Sequence, residues 1–460
     1  MEVIRTVMKG KIRMNQKIKA DAAGKLAALS KAGVSPYHMT AEAGRQLAAA
    51  GYQELSLKES WELENGGQYF VNVYGTTCIA FRVNPDFHRF VPVQHGERQQ
   101  LRIGAAHTDW PCLRIKSNPQ MRAGGCLKLN AEVYGGPIYN TWFDRPLSIA
   151  GKVSLKGKNP FAPRTVLIDL HRPVAYLPNL AIHLNREVNQ GSGLNPQVDL
   201  LPILGMEQGA SENWFTKLLL SAIKESEPEL EGVQGEDILG YDLYVYVQEE
   251  AVLVGMKEEF LSAPRIDNLT SCQSCLEGIL SSSRAEGIDM IVLFDNEECG
   301  SRSKQGADSN LLSLVLEKMA EGLHMSRQDY LNLLFGGICL SVDVAHGKHP
   351  NHPEKSDVTG EVTIAPSVVV KLESNQRYAT DSAAVAVVGG LCRERQIPVQ
   401  YFCNRSDIRG GSTLGSLISA WVPVPTADIG VPILAMHSAR ELMAAESQSC
   451  MDELLKAFFS

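Results

Sequence analysis

The sequence has no apolar run of the roughly eighteen residues that a membrane-spanning helix needs. It also lacks an excess of positive charge: 44 Lys and Arg stand against 52 Asp and Glu, giving a net charge of −8. Without a cationic field to draw a phosphate backbone, nucleic acid is excluded as the main partner, and small or peptidic substrates fit better. A dense cysteine framework is missing too. The ten cysteines are scattered, which in a chain this long reads as reduced thiols in a cytoplasmic protein. Cys272-Gln-Ser-Cys275 has the spacing of a zinc or redox motif, but no second pair accompanies it and it falls on a helical pattern. Its cysteines are therefore expected to be buried in a helix. There is no internal repeat and no low-complexity segment. Residues 1–19 lack the apolar run of a secretory signal; Arg5, Lys9, Lys11, Arg13, Lys17 and Lys19 would suit a transit peptide, whereas Glu2 and the lack of serine count against one.

What is present is the composition of an ordinary globular protein, with 44% apolar and 21% charged residues among 460, a length that favours two domains. Residues 20–50 carry two helical patterns separated by Gly33-Val34-Ser35-Pro36, and strand-like runs follow at 68–73, 78–83 and 101–106. From about 111 to 247 the texture changes to short β-like stretches (127–133, 147–155, 165–170, 243–248) punctuated by Gly and Pro, with one helical pattern at 214–223. This reads as a β-rich insert at 111–247 within an α/β domain made of 1–110 and 248–460. In the second part a helix opens at Arg265–Asn268, with Leu269, Cys272, Leu276, Ile279 and Leu280 on one face. Strands are predicted at 290–294, 338–342, 399–402 and 431–434, and a helix through Leu311, Leu312, Val315 and Met319.

The stretch Met290-Ile291-Val292-Leu293-Phe294-Asp295-Asn296-Glu297-Glu298-Cys299-Gly300-Ser301 concentrates the chemistry. A buried strand runs into adjacent Glu297 and Glu298, which repel each other unless a cation sits between them or one is protonated. The other metal-ligating types occupy equivalent places. His107 and Asp109 follow the strand at 101–106, Asp343 follows 338–342, His437 follows 431–434, and Asp267 stands at a helix entry. In an open α/β sheet the carboxyl ends of the strands converge on one crevice, where all of these could meet. Two His with Asp and Glu donors suit zinc or a similar divalent ion, and dispersed oxygen donors suit a two-metal hydrolase better than a structural finger. Taken singly, His107 or His437 would read as a hydrogen-bonded core histidine, Asp267 as a helix cap and Glu297-Glu298 as a solvated turn. Their joint order carries the metal reading.

The sequence resembles the aspartyl aminopeptidases, dinuclear zinc exopeptidases that assemble as tetrahedral dodecamers. The matching segments are His107-Thr108-Asp109, Asn130-Ala131-Glu132-Val133-Tyr134-Gly135-Gly136, Trp142-Phe143-Asp144-Arg145, His183-Leu184-Asn185-Arg186, Arg265-Ile266-Asp267-Asn268 and Asp295–Ser301. They continue with Ser341–His346, His349-Pro350-Asn351, Gln376–Thr380, Gly411-Ser412-Thr413 and Met436-His437-Ser438, in family order over nearly the whole chain. The resemblance implies a three-layer α/β catalytic domain with a mixed sheet, plus an inserted β-rich domain used for dimerisation and further assembly. It implies that Asp267 bridges two metals, most simply zinc, with cobalt or manganese possible, and that His107, Asp343, Glu298 and His437 complete the ligand sets. Asp109 would orient His107, and Glu297 would be the general base for water activated at the metals. His183 corresponds to a residue that reaches a neighbouring subunit's site and helps stabilise the oxyanion; His346, Lys371 and Tyr378 match substrate-pocket positions.

The expected activity is removal of single N-terminal residues from peptides, with an acidic preference because Lys371 could pair with a substrate carboxylate. Two departures from the family stand out. Trp110 replaces a small residue and is bulky enough to reshape the pocket rim, and Gly410 replaces a common cysteine. His349 and His352 are expected in a loop, since Pro350 and Pro353 oppose a shared helical face. The rival readings are a related dinuclear hydrolase, either an aminopeptidase of neutral or basic preference or an amide deacylase, and a self-assembling shell or cargo protein with a vestigial site.

Overall fold

The computed structural model describes residues 22–88, 100–191 and 193–460. The basic stretch at 1–19, weighed above as a transit peptide, lies outside the described residues. Among the described residues no helix is long and apolar enough to cross a membrane. None of the ten cysteines is in a disulfide, and Cys272 and Cys275 are buried in the helix Ile266–Ser281, as expected.

Nine strands form the largest sheet, in the order Gln53–Glu54, Gln68–Val73, Thr77–Val83, Ile288–Phe294, Leu101–His107, Gly337–Val342, Thr426–Gly430, Val368–Leu372 and Val399–Cys403. The sheet is mixed. Ile288–Phe294, Leu101–His107, Gly337–Val342 and Thr426–Gly430 run parallel, while Thr77–Val83 and Val368–Leu372 run antiparallel to their inner neighbours. The central strands are covered on both faces, so Ile288–Phe294 reads as a continuous apolar run rather than an alternation. Ala80, Ile291 and Leu293 join a core with the helices Ile266–Ser281 and Ala445–Phe458; Phe81, Met290 and Val292 join another with Leu311–Gly322, Arg327–Phe335 and Leu414–Trp421. Helices therefore cover both faces, which is the expected three-layer α/β arrangement. Gly278 permits the close approach of the first helix pair, since a Cβ there would lie 2.7 Å from Cβ of Leu455.

A second sheet of seven strands is ordered Ile238–Val247, Cys112–Ala123, Cys126–Tyr134, Ile203–Met206, Ala175–Tyr176, Pro146–Leu155 and Arg164–Asp169. Ile238–Val247 also pairs along its length with Pro146–Leu155, so the sheet curls on itself like a barrel. Cys112–Ala123 was not legible as a strand because its second half is exposed and polar. Pro119 falls within the register shift between Ile115 and Gln120, where the ladder does not need its N–H.

A third sheet, of five short strands, was not foreseen: Val252–Val254, Phe260–Ala263, Glu441–Ala444, Pro432–Leu434 and Ala345–His346. It corrects the assignment of 431–434 to the main sheet. Thr426–Gly430 takes that place instead, and the chain then passes into the small sheet. Strands of two to four residues are too short to show a period.

The main sheet is pinned by a buried charge. Asp289 accepts from Arg82 Nη2 at 2.9 Å, Arg284 Nε at 2.7 Å and Asn84 Nδ2 at 3.0 Å, and it is fully buried. Replacing Asp289 with Asn leaves the buried Arg82 guanidinium without its counter-charge. The expected loss is about 3–5 kcal/mol of stability, read as a lowered urea midpoint; a midpoint equal to the wild type would show that the pair contributes nothing.

Candidate metal centre

The parallel strands Ile288–Phe294, Leu101–His107 and Gly337–Val342 end at the same edge of the sheet, and Phe294 is in register with His107. The residues that follow them, Asp109, Glu297, Glu298 and Asp343, therefore emerge together. From the other side, the segments leaving Phe260–Ala263 and Pro432–Leu434 of the small sheet deliver Asp267 and His437. Asp267 and Asn268 are themselves non-helical, and regular helix begins only after them.

Asp267 stands at the middle. His107 Nε2 lies 3.5 Å from its Oδ1 and His437 Nε2 lies 3.5 Å from its Oδ2. On the first side Asp343 Oδ1 is 3.6 Å from His107 Nε2; on the second, Glu298 Oε2 is 3.4 Å from His437 Nε2. These spacings are long for hydrogen bonds but match the edges, about 3.3 Å, of a tetrahedron with zinc–ligand bonds near 2.0 Å. Ligand atoms of His107, Asp267 and Asp343 lie within 4.8 Å of one another, as do those of Asp267, Glu298 and His437, and of His107, Glu297 and Glu298. The buried Oδ1 of Asp267 has no hydrogen-bond partner. The donor set, its spacing and that orphaned oxygen fit a divalent metal.

Both imidazoles are turned to present Nε2. His107 Nδ1 lies 3.0 Å from the Asp109 carbonyl oxygen and 3.4 Å from Oδ1 of its carboxylate, and His437 Nδ1 lies 3.1 Å from the Gly136 carbonyl oxygen. An Nδ1–H donated there leaves Nε2 free as a ligand. The Asp109 carboxylate has further work: it accepts the backbone N–H groups of Glu297 and Glu298, each at 3.1 Å, and the Tyr134 hydroxyl at 2.6 Å.

Charge is crowded here. Burial, reinforced by Asp343, Asp109 and Asp267, pushes the Glu297 carboxyl up to about 8 against the pull of His107. Burial together with Asp267 and Glu297 raises Glu298 well above the usual carboxylate range. Burial alone would lower His107, yet Asp109, Asp267 and Asp343 hold it well above the ordinary histidine value. Asp343 stays below its usual value although burial opposes this, because Lys371 stands beside it.

The centre opens into a cleft of about 520 Å³ whose walls include Glu297, His346, Lys371 and Tyr378. Lys371 is only 1% exposed; its Nζ donates to the Val344 carbonyl at 3.1 Å, sits 3.6 Å from Asp343 Oδ2 and lies over the Tyr378 ring. His183 is exposed in a turn and is not among the residues that line the cleft. His349 and His352 lie outside regular elements, as expected, and His349 reaches the cleft wall. Trp110 corrects an expectation: it is 4% exposed, stacks over the Arg265 guanidinium and lines a small pocket bordered by Asp267 and His437, and is not among the residues of the larger cleft.

Two residues that sequence reasoning missed support the centre. Tyr134 belongs to the segment 130–136, but nothing in its spacing shows that its hydroxyl meets Asp109 and accepts from Asn296 Nδ2 at 2.9 Å. Glu441 opens one of the short strands and had no periodic signal at all.

The model of the aminopeptidase I zinc metalloprotease family (M18) matches residues 29–459. A probable M18 family aminopeptidase 2 from Clostridium novyi is 40% identical over 426 residues, covering 92% of this chain and 95% of that protein. One from Pseudomonas aeruginosa is 38% identical over 431 residues, covering 94% and 96%. Ape4, solved in complex with Nbr1, has a TM-score of 0.89 at 29% identity, covering 97% of this chain and 86% of that one. The S. cerevisiae mApe1 dodecamer shares the fold, with a TM-score of 0.80 at 22% identity over 95% and 96% of the two chains. The chain belongs to the M18 family. It is a zinc metalloprotease of the aminopeptidase class.

Tyr134→Phe removes one hydrogen bond from Asp109 and an acceptor from Asn296 while keeping the ring. Zinc affinity, measured by competition with a chelator, is expected to fall about tenfold; unchanged affinity would show that Asp109 needs no such support.

Proposed function

We propose that the chain removes single N-terminal residues from peptides, with preference for aspartyl and glutamyl termini, and that it does so with two zinc ions. The observation that carries this reading is the Asp267 carboxylate, whose two oxygens face His107 and His437 on opposite sides, with Glu297 on the adjoining cleft wall. In this reading Asp267 would be shared by the two ions, with His107 and Asp343 holding one and Glu298 and His437 holding the other. Cobalt and manganese also accept such donors.

What zinc supplies when bound is polarisation of the scissile carbonyl and a water acidic enough to act near neutral pH. Glu297 carries the proton: its carboxylate takes one from the attacking water and returns it to the nitrogen of the leaving amine. Asp109 keeps His107 oriented and holds the backbone on which Glu297 stands. Lys371 has three donors, of which one is given to Val344 and one faces Asp343, leaving the third for a substrate side-chain carboxylate. His346 and Tyr378 border the same pocket.

Residues 111–247 serve assembly in this reading, into a homo-oligomer such as the dodecamer known for S. cerevisiae mApe1. Support comes from the exposed apolar side chains around His183, Ile182 at 47% and Leu184 at 75%, which a second subunit would cover. His183 would then act at a neighbour's site, stabilising the oxyanion, and the enclosed site would admit only unfolded peptides. Ten cysteines outside any disulfide suit a reducing compartment such as the cytoplasm.

The test is hydrolysis of aspartyl, glutamyl, leucyl and lysyl amides by the zinc-loaded protein beside Glu297→Gln. Acidic substrates are expected to be cleaved fastest, and the variant to keep its zinc while losing about 10²- to 10⁴-fold in kcat. A leucyl or lysyl preference would remove Lys371 as the specificity residue; no cleavage by metal-replete oligomer would favour the shell reading.

A further inference from the structure

Glu441 begins the strand Glu441–Ala444, which lies between Phe260–Ala263 and Pro432–Leu434 in the small sheet, with Glu441 in register with Ala263. The segment that follows Phe260–Ala263 carries Asp267, and the one that follows Pro432–Leu434 carries His437. Both return to the same carboxylate. Glu441 Oε2 accepts the backbone N–H of Asp267 at 2.9 Å, and Oε1 accepts the backbone N–H of His437 at 2.9 Å. The side chain is 3% exposed, so neither N–H has water as a ready alternative.

The local backbone shows why such a brace is needed. His437 has φ 66° and Ala435 has φ 57°, left-handed conformations that non-glycine residues adopt only when their surroundings enforce them. Besides the side-chain contacts of its ring, the turn is tied by Ser438 N–H to the Ala435 carbonyl, by Ile138 N–H to the His437 carbonyl, and by the His437 N–H to Glu441. Asp109 plays the matching part on the opposite side, where one carboxylate takes the N–H groups of Glu297 and Glu298. The ligands are thus gripped by their main chain from two sides, with one acid for each.

We propose that Glu441 is a positioning residue that fixes the distance between His437 and Asp267 and thereby the spacing of the metal-binding donors. This rests on the two-metal reading above. A metal ion at the second ligand set needs both His437 Nε2 and Asp267 Oδ2, now 3.5 Å apart, and Glu441 is the one side chain among the described residues hydrogen-bonded to the backbone of both. Glutamine is the informative substitution. Its amide keeps the size but offers one acceptor, and its NH₂ would confront a backbone N–H, so either Asp267 or His437 loses its hold.

The experiment compares the full-length wild type with Glu441→Gln and Glu441→Asp by zinc titration against a chelator, followed by kcat and KM on zinc-saturated protein. Glu441→Gln is expected to bind zinc about 10- to 100-fold more weakly and to lower kcat with KM nearly unchanged. Glu441→Asp, which keeps the charge but retreats by one methylene, should fall between the two. Zinc affinity and kcat within twofold of wild type in a folded variant would overturn the proposal. So would collapse of both variants in zinc-replete medium, which would mark Glu441 as a folding residue rather than a spacer of ligands. Glu297→Gln run in parallel separates the two hypotheses: if it keeps turnover, the base assignment fails, whereas the affinity of the Glu441 variants still decides the role of Glu441.

Discussion

Like-charge repulsion in a buried place is the constraint on which this structure turns. The carboxyl groups of Asp109, Asp267, Glu297, Glu298, Asp343 and Glu441 are gathered at one edge of the main sheet, and burial with mutual repulsion drives Glu297, Glu298 and Glu441 upward in pKa. Nearby cations are few. Lys371 offsets Asp343, and the two histidines share the charge of Asp267. An arrangement like this is costly unless divalent ions supply the missing positive charge, so metal binding and the stability of the site are one free energy seen from two sides.

The backbone does the rest of the neutralising. Asp109 and Glu441 each accept two main-chain N–H groups, so the acids that brace the ligands are themselves stabilised by dipoles that cannot move away. This explains why the centre lies where the sheets adjoin rather than within one of them. The parallel strands bring Asp109, Glu297, Glu298 and Asp343 to one edge; the small sheet brings Asp267, His437 and Glu441; and the curled sheet contributes Tyr134 and the Gly136 carbonyl. Each sheet alone would present an incomplete set of donors.

The part of this that could be read from the sequence is the part written in long periods. The continuous apolar run 290–294 entering Glu297-Glu298, and the strand at 101–106 entering His107 and Asp109, announce a parallel sheet and its carboxyl edge, and both lie where expected. The small sheet left no such trace, because Pro432–Leu434 and Ala345–His346 are shorter than any period. Val368–Leu372 escaped notice because Lys371 interrupts its apolar run, although that lysine is buried against Asp343. Trp110 shows the other limit: bulk can be read from sequence, but direction cannot, and three residues past the strand end its ring packs on Arg265 instead of meeting substrate. Glu441 and Tyr134 were hidden for the same reason, since hydrogen bonds between residues so distant in the chain have no local signature.

Lys371 ties these threads together. It is buried, it lines the cleft beside Asp343, and its ammonium stands 3.6 Å from Asp343 Oδ2. Any change in the charge of that group also alters the field at Asp343, so in the proposed enzyme it could not be tuned for substrate alone. Removing it would leave Asp343 facing Asp267 with less positive charge nearby, raising the proton affinity of Asp343 and so weakening it as a donor. In the proposed enzyme, specificity and metal retention would therefore be coupled through one side chain. In the proposed enzyme an acidic substrate would complete the charge pattern that Asp343 begins, whereas an apolar one would leave the third donor of a buried ammonium unsatisfied.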